Sequence, residues 1–302
     1  MIVVDNSGKG LVRPNAAPGR EIRVIEPRAN VGFGAAVNLA FRHSRAPYLA
    51  TLNDDAIAHP DWLGALVSAI GAHPDAGMCA SQVRMFGKNC LDSAGMLICG
   101  DATGKQRGHM APPDAFSQPD EVLFPSGSAA LYRRTMLEET GLFDEDFFLY
   151  CEDTDLGLRA RWAGWKCLYV PGAVVEHHYS HSAGRASPLK AYYVERNRLR
   201  VVVKNFPATA ILAAPFFSLA RYWWHAFFIL RSQGSAARFR EDGNSGIKMV
   251  FYVLRAHCAL LVNLRSLLRK RRQIRRSARI SPAAFRTMLK SHSISPRQVA
   301  EL

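Results

Sequence analysis

The chain has 302 residues, enough for one large domain or two smaller ones around a buried core. With 48% hydrophobic and 21% charged residues, its composition is that of an ordinary globular protein, which sets it apart from low-complexity and disordered chains. The net charge of +14 lies wholly in the last third: residues 206–302 hold 17 Lys and Arg against 3 Asp and Glu, while residues 1–205 balance at 22 of each. This asymmetry predicts a neutral domain over 1–205 and a basic extension over 206–302. The six cysteines show neither a Cys-x-x-Cys pair nor zinc-type spacing, so a reduced, cytoplasmic chain is expected. The opening Met1-Ile2-Val3-Val4-Asp5-Asn6 lacks the basic and apolar regions of a secretory signal.

Residues 2–4 read as a short buried strand ending in the turn Asp5-Asn6-Ser7-Gly8. A loop over 9–21, with Pro14, Pro18 and Gly19, precedes a second strand at 22–25. Asn30 fits the N-cap of a helix over about 34–44, which opens on the small-residue run Gly32-Phe33-Gly34-Ala35-Ala36. The apolar run Tyr48-Leu49-Ala50-Thr51-Leu52 predicts a strand that stops at Asn53-Asp54-Asp55. Pro60 sits where a following helix would start, with Trp62, Leu63, Leu66, Val67 and Ile70 on one stripe. Such strand–helix alternation predicts an α/β fold with a parallel or mixed sheet.

Residues 100–120 read as a long loop of the kind that often serves binding. Phe124-Pro125-Ser126-Gly127-Ser128-Ala129 predicts a turn into a buried strand, and 143–148 an acidic, aromatic loop. A helix is expected over 152–163, closed by Gly164, then a strand over 167–170 that stops at Pro171-Gly172. A further strand-like run, Ala173-Val174-Val175, leads to His177 and His178, with His181 close behind.

Two acidic clusters carry the chemistry. Carboxylates at the end of a strand point to a hard cation such as Mg2+ or Mn2+, which takes oxygen ligands from protein and phosphate. On the triplet alone a plain Asx turn is equally good. Glu152-Asp153-Thr154-Asp155 places three carboxylates in one helical turn, which calls for a cation, an Arg partner or a raised pKa. Favourable contact of acids with the helix dipole is the bland alternative. With a strand-end His, the two clusters suit metal-assisted transfer from a diphosphate leaving group.

The ordered set Val3-Val4-Asp5-Asn6-Ser7, Asn30-Val31-Gly32-Phe33-Gly34 with Asn38, Leu52-Asn53-Asp54-Asp55, Ser126-Gly127-Ser128-Ala129, Phe143-Asp144-Glu145 and Glu152-Asp153-Thr154-Asp155-Leu156-Gly157-Leu158-Arg159 covers about residues 1–205. Gly164, Pro171, His177 and Arg196-Asn197 complete it. This combination resembles inverting family 2 glycosyltransferases of the GT-A fold, above all bacterial rhamnosyltransferase-like members that build cell-surface polysaccharides. The resemblance implies a nucleotide-sugar donor contacted by Asp5, Asn30, Gly32, Asn38, Asn53 and Asp54. It makes Asp55 the metal ligand of an Asp-x-Asp position, with Asn53 in its first place, and lets His177 complete the metal site. Asp153 matches the catalytic base, and Ser126, Gly127, Glu152 and Asp155 fall to the glycan or lipid-linked acceptor, Glu152 and Asp155 orienting it or pairing with Arg. Family members open with a strand and helix ahead of the Val-Val-Asp-Asn strand, so a start further upstream is expected.

The basic extension contains an apolar stretch at 208–230, long enough to span a bilayer, but interrupted by Pro215, Arg221 and His225. Tyr222-Trp223-Trp224 suit the headgroup region, so an interfacial helix is expected there. A second apolar stretch at 249–268 runs into a basic block at 269–276. Paired apolar and basic signals favour the anionic inner face of the cell membrane over nucleic acid as partner. A helical appendage packed on the first domain is the simpler alternative. Two other functions stand beside sugar transfer: a catalytically weakened relative that binds membrane or polyanion through its tail, and a two-carboxylate glycoside hydrolase.

Overall fold

The computed structural model describes residues 1–12, 21–178, 188–231, 234 and 246–301; His181 and most of the 9–21 loop lie outside these. The strands β1 (Ile2–Val4) and β2 (Arg23–Ile25) pair in parallel as a small ribbon. Helix α1 (Phe33–Arg42) leads to β3 (Tyr48–Leu52), followed by β4 (Ala56–Ala58), α2 (Trp62–Ala72) and β5 (Ala76–Met85). Next come β6 (Leu91–Ser93), the hairpin β7 (Met96–Ile98) and β8 (Gly104–Gln106), β9 (Asp120–Val122), β10 (Ala129–Arg133) and α3 (Arg134–Thr140). Helix α4 (Glu152–Trp162) and strand β11 (Lys166–His177) complete the α/β unit.

The central sheet runs β3-β10-β5-β11-β4, with β6 on β5 and β9 on β11. Only β5 and β11 are parallel among its neighbours, so the sheet is mixed, as the alternation predicts. β5 lies at its centre, buried at nine of its ten positions, which explains its nearly unbroken run of apolar and small residues. One layer of core, with Met78, Tyr132, Phe143 and Leu156, lies under α1, α3 and α4. The other, with Leu66, Ile70, Cys79 and Val175, lies under α2.

Four local readings change. β11 does not stop at Pro171-Gly172 but continues to His177, with a register shift between Val170 and Val174 that absorbs the proline in a bulge. The 100–120 segment is only partly loop, because β8 and a short 3-10 turn at Pro113–Phe116 interrupt it. Asn30 is not a cap: α1 starts after Gly32 with no side-chain cap, and Asn30 Oδ1 accepts instead from the Gly32 N–H at 2.9 Å. Pro60 precedes the α2 N-cap, Asp61, and so stands outside the helix.

Among the described residues, the helices α5 (Pro188–Asn205), α6 (Ala208–Leu230), α7 (Gly246–Arg276), α8 (Pro282–Ser291) and α9 (Pro296–Glu301) follow. They share a core with the α/β unit, in which Trp162 and Leu158 of α4 meet Phe206, Ala214, Ile274 and Phe285. Trp162 stacks on Phe285 at 3.9 Å and donates its indole N–H to Asn205 O at 2.8 Å. The basic block is divided rather than wholly outward. Lys270 pairs with Asp144 and Asp146, while Arg271 and Arg275 donate to the carbonyls that end α5 and follow it. Arg265, Arg269, Arg272 and Arg276, spaced along one face of α7, remain exposed. Among the described residues, Lys248–Arg276 is the one helix long and apolar enough to cross a membrane by length and composition, and α6 is not.

Candidate active site

The end of β3 and the turn ahead of β10 are joined by a backbone hydrogen bond, Asn53 N–H to Ser128 O at 2.9 Å. One residue earlier, the Gly127 N–H donates to Asp153 Oδ2 at 3.1 Å. Two acidic motifs about a hundred positions apart are thus tied together by the Ser126-Gly127-Ser128 turn, whose serine hydroxyls lie 3.0 Å apart. Asp54 is exposed, while Asp55 turns inward toward the end of β11.

The antiparallel register of β4 and β11 opposes Ala56 to His177 and so delivers the imidazole to Asp55. His177 Nε2 lies 3.1 Å from Asp55 Oδ1, and its Nδ1 lies 2.9 Å from Asp92 Oδ2. Burial works against the imidazolium, but Asp92 and then Asp55 raise His177 above the usual histidine value. Asp92 is itself buried in β6, and hydrogen bonds from His109 and His177 keep its carboxyl low despite that burial.

The donor set fits a divalent cation. A carboxylate oxygen and an imidazole nitrogen about 3 Å apart span two adjacent corners of an octahedral ion with ligands at roughly 2.1 Å. The second ring nitrogen is held by a carboxylate, the arrangement that orients ligating histidines. Among the described residues no group of three or more His, Cys, Asp or Glu is arranged to hold an ion.

Asp153 is presented by a strained loop. Phe148, Tyr150 and Cys151 all adopt positive φ, at 64°, 68° and 66°, a region that non-glycine residues rarely occupy. Asn197 of α5 is fully buried, and its side-chain amide N–H groups donate to Phe147 O, Leu149 O and Tyr150 O at 2.9, 2.8 and 2.7 Å. Arg196 adds bonds to Asp146 O and Phe147 O. On the opposite side the Phe33 N–H donates to Phe148 O, and Gly32 leaves no space for a Cβ, which would sit 2.2 Å from that oxygen.

At the start of α4 the carboxylates divide by environment. Burial raises Asp153 above the usual aspartate value, against the hydrogen bonds from Gly127 and Thr154. Glu152 is 6% exposed, its Oε2 has no hydrogen-bond partner, and burial followed by the Asp153 charge pushes it up to about 8. Both carboxyls of this adjacent pair are thus shifted toward the protonated form. Asp155 differs from both. It is fully buried and bound to Arg159 at 2.9 Å, Lys204 at 2.8 Å and Asn205 at 2.8 Å. That supports the Arg pairing and overturns the acceptor contact, since every partner of this carboxylate is internal.

The expected donor residues separate in the same way. Asp5 is 5% exposed, and its oxygens accept from Ser7 and the Val12 N–H, which holds its carboxyl at about 2. Asn38 is buried, bonded to Phe143 O, Glu145 Oε1 and the Phe143 N–H, so it anchors the acidic loop instead of facing a donor. Asn30 and Gly32 lie beside Asn6 at the mouth of α1, with Asn6 Nδ2 donating to both. Sequence reasoning missed Asp92; its signal is an acid in the otherwise apolar, small-residue stretch Leu91–Gly95.

Residues 2–201 match the family model described as glycosyltransferase-like family 2. The chain is 31% identical over 224 residues to an N-acetylglucosaminyl-diphospho-decaprenol L-rhamnosyltransferase of Mycobacterium tuberculosis, covering 64% of this chain and 71% of the relative. It is 40% identical over 67 residues to the rhamnosyltransferase WbbL of Escherichia coli K12, covering 22% of this chain and 25% of that one. A crystal structure of GalNAc-T7 with UDP, GalNAc and Mn2+ shares the fold, with a TM-score of 0.51 at 16% identity over 73% of this chain and 42% of that one. With the mixed GT-A sheet and the clustered acidic motifs, these likenesses establish that the chain belongs to glycosyltransferase family 2, as a rhamnosyltransferase-like enzyme of sugar transfer.

Proposed function

We propose that the enzyme transfers a hexosyl or 6-deoxyhexosyl group, with inversion, from a nucleotide-sugar to a lipid-linked glycan in cell-surface polysaccharide synthesis. The observation that supports this reading is the bridge between Asn53-Asp54-Asp55 and Asp153 through the Ser126-Gly127-Ser128 turn, which brings the residues assigned to the cation near the carboxylate assigned as base. The mycobacterial relative, named for a diphospho-decaprenol acceptor, supports the acceptor class.

Asp55 and His177 would hold Mg2+ or Mn2+, which when bound neutralises charge on the donor diphosphate. Asp92 keeps the His177 ring in place for that task. Asn53, Asp54, Asn30 and Gly32 line the donor side, and Ser126 and Gly127 the acceptor side. Asp153 takes the proton of the acceptor hydroxyl as that oxygen bonds to the anomeric carbon. The bond from that carbon to the diphosphate breaks, and the nucleoside diphosphate leaves with the electron pair. Glu152, pushed up to about 8 by burial and the neighbouring Asp153 charge, would donate to the acceptor. Residues 206–302 act as the basic extension that keeps the enzyme peripherally on the inner face of the membrane, where such an acceptor lies.

The test is turnover on a panel of nucleotide-sugars with Mn2+. Asp153→Asn should lower transfer by about 10²–10⁴-fold while donor binding persists; near-normal turnover would remove Asp153 from the mechanism. Asp55→Ala should abolish the metal dependence of donor binding measured by calorimetry, and unchanged dependence would remove the cation site. Hydrolysis that persists in EDTA would point to a glycosidase instead.

A further inference from the structure

Helix α6 has one face nailed to the protein and another left open. Its buried positions, Ala214, Arg221 and Phe228, recur every seven residues, and Arg221 bonds Asp101 at 2.7 Å and Glu195 at 2.9 Å. This fixes the rotation of the helix. The opposite stripe then presents Leu212, Phe216, Leu219, Trp223 and Leu230, each between 59% and 86% exposed. No acidic residue occurs anywhere in Ala208–Leu230.

At the N-terminal end of that stripe lies a cleft of about 280 Å³ lined by Pro207, Thr209, Arg271, Arg275, Pro282 and Arg286. Three guanidiniums and no carboxylate share it. Arg271 and Arg275 bond backbone carbonyls, and Arg286 bonds Thr209 Oγ1 at 2.9 Å, so among the described residues no anionic side chain pairs with them. Burial and then the neighbouring Arg271 push Arg275 down to about 10. The uncapped start of α6 adds partial positive charge at the same place.

We propose that this cleft binds the phosphate of an anionic membrane phospholipid, with the acyl region of the leaflet against Leu212, Phe216 and Leu219. Charge complementarity selects the occupant: guanidiniums bind phosphate in a fork geometry, and an apolar stripe beginning within one helical turn suits the chains attached to it. A nucleic-acid backbone would satisfy the arginines and leave the stripe unused. The inference deepens the membrane reading of residues 206–302 and is independent of the catalytic assignment.

The test is sedimentation of the full chain with vesicles of phosphatidylcholine alone or mixed with phosphatidylglycerol. Binding should require the anionic lipid. Arg286→Glu, on an exposed position of α8, should weaken it about fivefold or more, whereas the same charge change at the remote, exposed Arg45 should not. Leu212→Ser with Phe216→Ser should weaken it too. Equal effects at Arg286 and Arg45 would overturn the cleft as the site. An Arg286-dependent thermal shift by inorganic phosphate without vesicle binding would overturn the lipid as ligand, as would Arg286-dependent binding of an RNA oligonucleotide without vesicle binding. Transfer to a short-chain soluble acceptor should survive Arg286→Glu; loss of transfer in the wild-type chain alone would count against the catalytic reading and not against this one.

Discussion

Two pairs of carboxylates removed from bulk water behave in opposite ways. Asp101 and Glu195 face Arg198 and Arg221, and those charges hold both carboxyls at about 2 despite burial. Among the described residues no cation pairs with Glu152 or Asp153, and burial raises both. A buried carboxylate with a guanidinium joins elements together, here α5 and α6 to the loop after β7. One without a counterion is left with unspent chemistry, to be stabilised by a substrate.

That contrast can be broken from either side. The largest effect should come from Arg221→Ala, which leaves Asp101 and Glu195 to share the single guanidinium of Arg198 and should cost about 3–5 kcal/mol in denaturant unfolding. Because Asp101 and Glu195 are depressed in the fold, their contribution is present above the usual carboxylate range and lost as pH falls toward 2. The variant should therefore show a shallower acid unfolding limb than the wild type. Next, Asn197→Ala releases the strained loop ahead of Glu152 and should lower kcat on the order of 10²-fold with little change in donor KM. An equal rise in KM would show that the loop serves donor binding.

Asp92→Asn should weaken Mn2+ binding roughly 10–100-fold, read by electron paramagnetic resonance with nucleotide present. The smallest effect sharpens the contrast: Glu152→Gln removes an uncompensated carboxyl. Since Glu152 is raised to about 8, its favourable protonated state is complete below about 4.5 and lost as pH rises through 8. The variant should match the wild type near pH 4.5 and melt a few degrees higher above pH 8. A uniform shift across pH would mean that the side chain is not titrating in the fold.

Much of this was legible beforehand. Strands at 2–4 and 48–52, the helix behind Pro60 and the helix at 152 follow from period and punctuation, and the mixed α/β sheet follows from their order. The pairing of Asp55 with His177 also follows once the motifs are recognised in sequence order. What failed was local chemistry read without its partners. Asn38 and Asp155 have the residue types of a binding site, but long-range contacts to Phe143, Lys204 and Asn205 absorb their polar atoms. Pro171 looked like a strand end because a bulge that tolerates proline depends on its neighbour strand.

Taken alone, the order of residues determined the strand–helix alternation, the acidic motifs at strand and helix starts, and the concentration of positive charge after residue 205. These depend on neighbours within a few positions. Tertiary structure decided which charges were neutralised: Lys270 inward on Asp144 but Arg269 outward, Asp155 saturated but Asp153 not. Desolvation and ion pairing are set by atoms brought together across separations as long as the 126 residues between Asp144 and Lys270. No local pattern records that distance.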